Sequence, residues 1–75
     1  MILPTKYLTE NQTLLGVGAT LLDNLVQPRT LSGLWESVKN QSNIGTFERF
    51  ILGVDMLYIL GIIKLVDGKI KKSSI

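Results

Sequence analysis

The segment from Phe47 to Leu60 constrains this chain more than any other part of the sequence. It has the composition of a helix, and only three of its positions are charged, namely Glu48, Arg49 and Asp55. A surface helix carries one apolar stripe, whereas a helix that is apolar nearly all round is covered on nearly every side. A chain of 75 residues cannot supply that cover alone, and we therefore expect a partner.

The small size of the chain points in the same direction. Domains this short bury only about 60% of the surface of their unfolded chain, and they usually add disulfides, a metal or a partner subunit. The sequence contains neither Cys nor His, which excludes disulfides and removes the usual zinc and haem ligands, general bases and thiol nucleophiles. We expect no enzymatic activity, no cofactor and no metal site, and association as the source of stability.

Charge and hydropathy exclude further classes of protein. The net charge is +2 and 45% of the residues are apolar, which fits neither a disordered chain nor a strongly basic nucleic-acid binder. The run from Phe50 to Val66 is shorter than the roughly 20 apolar residues of a membrane-spanning helix and includes Asp55 and Lys64. No secretory signal is recognisable. We expect a cytoplasmic protein without membrane contact.

Three helices are predicted, preceded by a short strand. Met1 to Leu8 is partly β-like and could form an edge strand, since Pro is tolerated there. Thr9 to Gln12 has the form of a capping box, which predicts a first helix that runs until Pro28 stops it. Helical spacing and the candidate caps Thr30, Thr46 and Gly61 then predict a second helix over Leu31, Leu34, Trp35 and Val38 and a third from Thr46 to Gly61.

A β-hairpin is predicted after the third helix. Asp67-Gly68 supplies the two positive-φ residues of a type I′ turn. A two-residue loop pairs Val66 with Lys69, Leu65 with Ile70 and Lys64 with Lys71. Ile63, Leu65 and Ile70 would then pack on the helices, with Lys64, Lys69 and Lys71 on the other face.

Three helices followed by a hairpin is the order of a winged helix-turn-helix domain, a mainly α fold with a β-hairpin as its wing. Arg29-Thr30 lies where this fold commonly places a small strand. No linker or repeat is visible, and we expect one domain over residues 1–72 with a frayed tail at 73–75.

The third helix carries two apolar stripes. The broad one suits the core of the domain and comprises Phe47, Phe50, Ile51, Val54, Leu57 and Tyr58. The second, Leu52, Met56 and Ile59, has i, i+4, i+7 spacing and is predicted to bind a partner protein. Tyr7 is a further candidate anchor, as is Trp35, although a core role is the favoured interpretation of Trp35. Gly16 and Gly18 in the first helix suggest close approach by another backbone.

DNA binding is the alternative that the fold raises. A reading helix needs Arg, Lys, Asn or Gln along its exposed side, and the third helix offers Arg49 alone. The hairpin is more basic, with Lys64, Lys69, Lys71 and Lys72. These lysines could meet phosphates or an acidic partner, or they could simply keep an edge hairpin soluble, and both interpretations stay open.

The chain also resembles the small middle components of bacterial ABC-type three-component systems, most closely the sixth type. The resemblance covers nearly the whole chain. Its matching features are Leu3-Pro4-Thr5-Lys6, Leu14-Leu15-Gly16-Val17-Gly18, Arg29-Thr30, Leu34-Trp35, Phe47, Phe50 and the run from Asp55 to Gly61.

The resemblance implies a small winged-helix adaptor without catalytic residues, encoded between a large effector component, often a nuclease, and an ABC ATPase similar to the chromosome-maintenance class. Such systems are thought to act against phages or plasmids. The implied partners are the ATPase subunit and the effector subunit, with DNA as a further contact of the complex. The ATP would belong to the partner.

Overall fold

The computed structural model describes the backbone of residues 5–73 and the side chains from Leu14 to Ser73. Three helices are followed by an antiparallel two-stranded hairpin, in the predicted winged-helix-like order. The elements are α1 (Thr5–Asp23), α2 (Leu31–Val38), α3 (Phe47–Ile59), β1 (Ile63–Val66) and β2 (Lys69–Lys72). We call the hairpin, residues 63–72, the wing.

The beginning of α1 corrects the sequence-based prediction. Thr5 to Leu8 is helical and not an edge strand, while residues 1–4 of the predicted strand lie outside the described residues. Thr9 is consequently an interior position of the helix and not its N-cap. Lys6, Leu8 and Glu10 are good helix formers, and extending a helix adds a hydrogen bond per residue without a new nucleation step.

The end of α1 also differs from the prediction. The helix ends at Asp23 and not at Pro28. The side chain of Asn24 donates to the carbonyl oxygen of Thr20 at 2.9 Å, and Arg29 Nε donates to the carbonyl oxygen of Asn24 at 2.7 Å. The Asn24 side chain thus adds to the backbone hydrogen bond that Thr20 O already accepts, and Arg29 satisfies the carbonyl group of the residue just after the helix. Both contacts stabilise an end of the helix that comes before Pro28.

The predicted caps of the other two helices are confirmed. Thr30 accepts from the backbone N–H of Gly33, and Thr46 accepts from that of Arg49, each at 3.1 Å. Gly61 has φ +77° just after α3. There the N–H of Ile62 donates to Leu57 O and that of Gly61 to Tyr58 O, which is the Schellman pattern.

The hairpin register is confirmed in full. Val66 pairs with Lys69, Leu65 with Ile70 and Lys64 with Lys71, and Asp67 and Gly68 both have positive φ, as a type I′ turn requires. Arg29 forms an antiparallel bridge to Ile70 on the outer edge of β2, at the place where the small strand was expected. Beyond β2, Ser73 N donates to Ile62 O at 2.8 Å.

The core lies between the helices and the inner face of the wing. Its buried residues are Val17, Leu21, Leu25, Leu34, Val38, Ile44, Phe50, Leu57, Ile63 and Ile70. Ile44 comes from the polar turn before α3, where the sequence analysis did not expect a core residue. Asn43 fixes this turn to α1, since its Nδ2 donates to Gly16 O at 3.2 Å and to Thr20 Oγ1 at 2.7 Å.

Two glycines allow α1 and α3 to pack closely. A Cβ atom on Gly53 of α3 would lie 2.5 Å from Cγ1 of Val17 and 3.2 Å from Cδ1 of Leu21. A Cβ atom on Gly18 of α1 would lie 2.9 Å from Cε of Met56. The close approach predicted at Gly18 is therefore real, but the neighbouring atoms belong to side chains of α3 and not to another backbone.

Candidate protein-interaction surfaces

The outer stripe of α3 is largely uncovered within the described part of the chain. Leu52 is 57% exposed and Ile59 is 81% exposed, whereas Met56 is half-buried. We call these three residues the α3 face. Glu48 and Asp55, both exposed, stand four residues before Leu52 and Ile59, so the stripe has an acidic border on the same side of the helix.

Met56 connects the α3 face to α1. It packs against the core, and the end of its side chain lies over Gly18. Leu15 is three residues before Gly18 on the same row of α1, and it is 61% exposed. The sequence analysis did not single out Leu15. Its i, i+3 relation to Gly18 was the available signal, but only the packing shows that this row meets α3.

The inner stripe of α3 is narrower than predicted. Phe50 and Leu57 are buried and Ile51 and Val54 are half-buried, but Phe47 and Tyr58 are exposed. These two aromatic residues lie at the edges of the stripe and not at its centre. Phe47 is still supported, because its ring meets that of Trp35 edge-on at a centroid distance of 5.1 Å.

The structure describes the side chain of only one of the two aromatic anchor candidates, Trp35 and Tyr7. Trp35 is half-buried and packs against the core, with its ring centroid 5.2 Å from that of Phe50, so its main contacts are within the domain, as the favoured interpretation held. Tyr7 lies in α1, but its side chain is outside the described residues, and its role as a partner contact stays a prediction.

Arg49, the one basic residue of α3, is engaged within the domain. Its Nε donates to the carbonyl oxygen of Ile44 at 3.0 Å and its Nη2 to that of Asn43 at 2.8 Å. The guanidinium thus fixes the turn before α3 instead of extending from the helix. A helix whose basic group is held in this way, and whose border is acidic, is poorly suited to reading base edges or contacting phosphates.

The basic residues of the wing are placed differently. Lys64, Lys69 and Lys72 are exposed and Lys71 is half-buried. Lys64 stands directly opposite Lys71 in the register. Among the described side chains the salt bridge joins Lys39 and Glu36, and none of the four wing lysines has an acidic partner there.

The inner face of the wing is covered only in part. Ile63 and Ile70 are buried as predicted, but Leu65, on the same face, is 62% exposed. The prediction that Leu65 packs on the helices is therefore wrong. A groove lies beneath that end of the hairpin instead, between Leu65, Leu31 at the start of α2, and Tyr58 of α3. We call it the wing groove.

No helix in the described part of the chain combines the length and apolarity needed to cross a membrane. A family model described as ABC-three component (ABC-3C) system Middle Component 6 matches residues 3–73. No curated protein and no solved structure matches the chain. The matched residues include the α3 face and the wing.

Proposed function

Because the chain belongs to the Middle Component 6 family of ABC-three component systems, we propose that it is a non-catalytic adaptor subunit that docks on another component through the α3 face. A middle component of a three-component system has partner components by definition. We propose that these are an ATPase of the chromosome-maintenance type and a large effector, and that the complex acts in defence against phages or plasmids.

The observation that supports the proposal is the exposure of Leu52 and Ile59 on a helix whose other side forms the core. Fully burying an aliphatic side chain stabilises a complex or fold by about 1.5–3 kcal/mol. Two such exposed side chains on one stripe of a helix are the kind of apolar surface that marks protein contacts, and Leu15 on α1 is a further exposed apolar side chain three residues before Gly18. The acidic border at Glu48 and Asp55 favours a partner surface with basic residues around its apolar centre.

The test is co-purification of the tagged chain with the two other components after co-expression. Leu52→Glu plus Ile59→Glu should remove at least one component, because charged side chains would be buried in the contact. Met56 is left unchanged, since its contact over Gly18 belongs to the fold. The matched control is Val26→Glu plus Gln27→Glu, which adds two carboxylates at exposed positions after α1.

The result is interpretable only if both double variants melt at the temperature of the unmodified chain. Loss of a component from the α3 variant alone supports the proposal. Unchanged recovery of both components with that variant contradicts it, as does equal loss with the control.

DNA binding through the wing is the second candidate. It is favoured by the four wing lysines, which have no acidic partner among the described side chains, and it does not need Arg49. If it holds, Lys64→Glu, Lys69→Glu and Lys71→Glu together should abolish duplex binding and flatten its salt dependence. Absence of duplex binding by the unmodified chain at low salt excludes this candidate.

A further inference from the structure

The wing groove is an apolar surface separate from the α3 face. Val54 and Tyr58 line it from α3, and Ile63 and Leu65 line it from β1. Leu52 and Ile59 point more than about a quarter of a turn away from Val54 and Tyr58 on a helix with roughly 100° per residue. A ligand in the groove would therefore leave the α3 face free.

The exposure of Leu65 shows that the domain does not cover its own groove. In a two-residue hairpin, Leu65 shares a face with Ile63 and Ile70, and these two are buried. Leu65 is mostly exposed, as is Tyr58 across the groove. The side chains of Leu65, Tyr58 and Leu31 thus surround a space that the described residues leave open.

The size and lining of the groove indicate the kind of ligand. Its volume is about 260 Å³, slightly below the range of roughly 300–1,000 Å³ that holds small molecules. The lining is almost entirely apolar, and Tyr58 and Lys64 are its two residues with polar side chains. A small molecule would lack the convergent polar groups that orient it, whereas one or two apolar side chains of a peptide need only shape and burial.

Charge then selects among peptides. Lys64 lines the groove, and Lys69, Lys71 and Lys72 lie on the same two-stranded hairpin, where they add to the positive potential around the groove. Asp67 in the turn is the one acidic residue of the wing. Lys64 and Lys71 also oppose each other directly, a like-charge pair that is destabilising until an acidic group approaches.

We propose that the wing groove binds a short segment of another component of the system, in which one or two large apolar residues are flanked by Asp or Glu. The apolar residues would insert between Leu31, Tyr58 and Leu65, and the carboxylates would lie against Lys64 at the rim of the groove. With the α3 face engaged separately, the chain has two docking surfaces of opposite charge on either side of α3. The groove proposal does not require the α3 face to bind.

The probe is an array of overlapping 15-residue peptides that covers the two other components. Hits are remeasured in solution by fluorescence anisotropy with the full chain. We expect the bound peptides to contain large apolar residues next to Asp or Glu. Leu65→Ser should weaken binding roughly tenfold, as truncation of a central apolar contact does, and Lys64→Glu should weaken it more at low salt than at high salt.

Leu52→Ser is the matched control, because Leu52 and Leu65 are the same residue type with nearly equal exposure. It should leave peptide binding unchanged, while it weakens co-purification if the α3 face docks as proposed. The two proposals can therefore fail independently.

Three outcomes would overturn the groove proposal. The array yields no peptide that binds in solution. The bound peptides are basic, or they bind equally well to Leu65→Ser. Alternatively, labelled duplex DNA binds the unmodified chain, and its affinity is lost with Lys64→Glu but unchanged with Leu65→Ser, which assigns the lysines to a nucleic acid.

Discussion

The outer side of α3 and the wing are the two parts of a winged helix that can face DNA, and in this chain they have opposite character. The exposed side of α3 is apolar with an acidic border, and its arginine donates to carbonyl groups of the preceding turn. The wing carries four lysines without acidic partners among the described residues. Apart from Arg49, the basic residues of these two elements lie in the hairpin and not in the helix that would read bases.

This difference suits the two surfaces to different kinds of ligand. An apolar surface gains from burial against a complementary protein surface, whereas exposed lysines attract acidic groups over a longer range. A single DNA-binding surface would carry positive charge on both elements. The division into an apolar helix and a basic wing is better suited to a protein that holds two partners.

The largest expected effect is at Gly53, and it tests whether the inner side of α3 is fixed by packing. Gly53→Ala should lower the free energy of unfolding by about 1–3 kcal/mol, because the new methyl group overlaps Val17 and overpacking costs that much. Val17 is buried and β-branched, so it has little freedom to move away. Urea unfolding followed by circular dichroism measures the change.

Two further glycines in α1 are matched controls for Gly53. Gly18→Ala should cost less, since the end of the flexible Met56 side chain can shift. Gly16→Ala meets its nearest neighbour only at 3.8 Å and should stabilise the helix by roughly 0.5–1 kcal/mol. Equal effects at all three positions would show that α1 and α3 do not pack as closely as the structure has them.

These glycines also mark the limit of what the sequence predicts. The caps at Thr30 and Thr46 and the register around Asp67-Gly68 depend on interactions within a few residues, and all were predicted correctly. The contact of Gly53 with Val17 joins residues 36 positions apart, and no local pattern indicates it. The prediction that Thr9 begins the first helix was wrong for a related reason. The local capping box is present in the sequence, but the helix begins earlier, at Thr5.

The candidate surfaces, too, were predictable only where they depend on local spacing. Helical spacing was sufficient to separate Leu52 and Ile59 from the core. It could not show that Met56 is held over Gly18 or that Leu65 lies at the edge of a groove, since each depends on how one element lies on another. The sequence also does not show the carbonyl groups of Asn43 and Ile44 that Arg49 reaches.

An intermediate effect on the free energy of unfolding is expected at Arg49. It tests whether this arginine stabilises the fold, as the contrast between α3 and the wing requires. Arg49→Met keeps an unbranched stem but removes both hydrogen bonds to the preceding turn. It should cost about 1–2 kcal/mol of unfolding free energy, near the value for hydrogen bonds made by a charged donor. Because the acceptors are neutral carbonyls, the loss should change little with salt.

Lys64→Met is the control for Arg49→Met, since it removes an exposed wing charge that has no acidic partner among the described side chains. It should leave unfolding free energy unchanged or slightly raised. If Arg49→Met instead has no effect on stability but weakens binding of duplex DNA, Arg49 is a nucleic-acid contact and the contrast between α3 and the wing fails.

The smallest effect concerns the pairing of Lys64 with Lys71, and it sharpens the interpretation of the wing. Lys64→Glu turns a like-charge cross-strand pair into an opposite-charge pair, which should raise the free energy of unfolding by about 0.2–1 kcal/mol at low salt. The gain should shrink in 1 M salt, where the Debye length is about 3 Å.

Lys69→Glu changes the net charge equally but faces Val66 across the hairpin, so its gain should be smaller. Equal gains from both variants would mean that the wing responds to overall charge and that the pair has no special cost. A gain confined to Lys64→Glu would mean that the unmodified chain carries two opposed lysines at the expense of its own stability. Such a cost is expected where the lysines bind an acidic ligand, and the variant that gains stability should then be the one that loses the peptide.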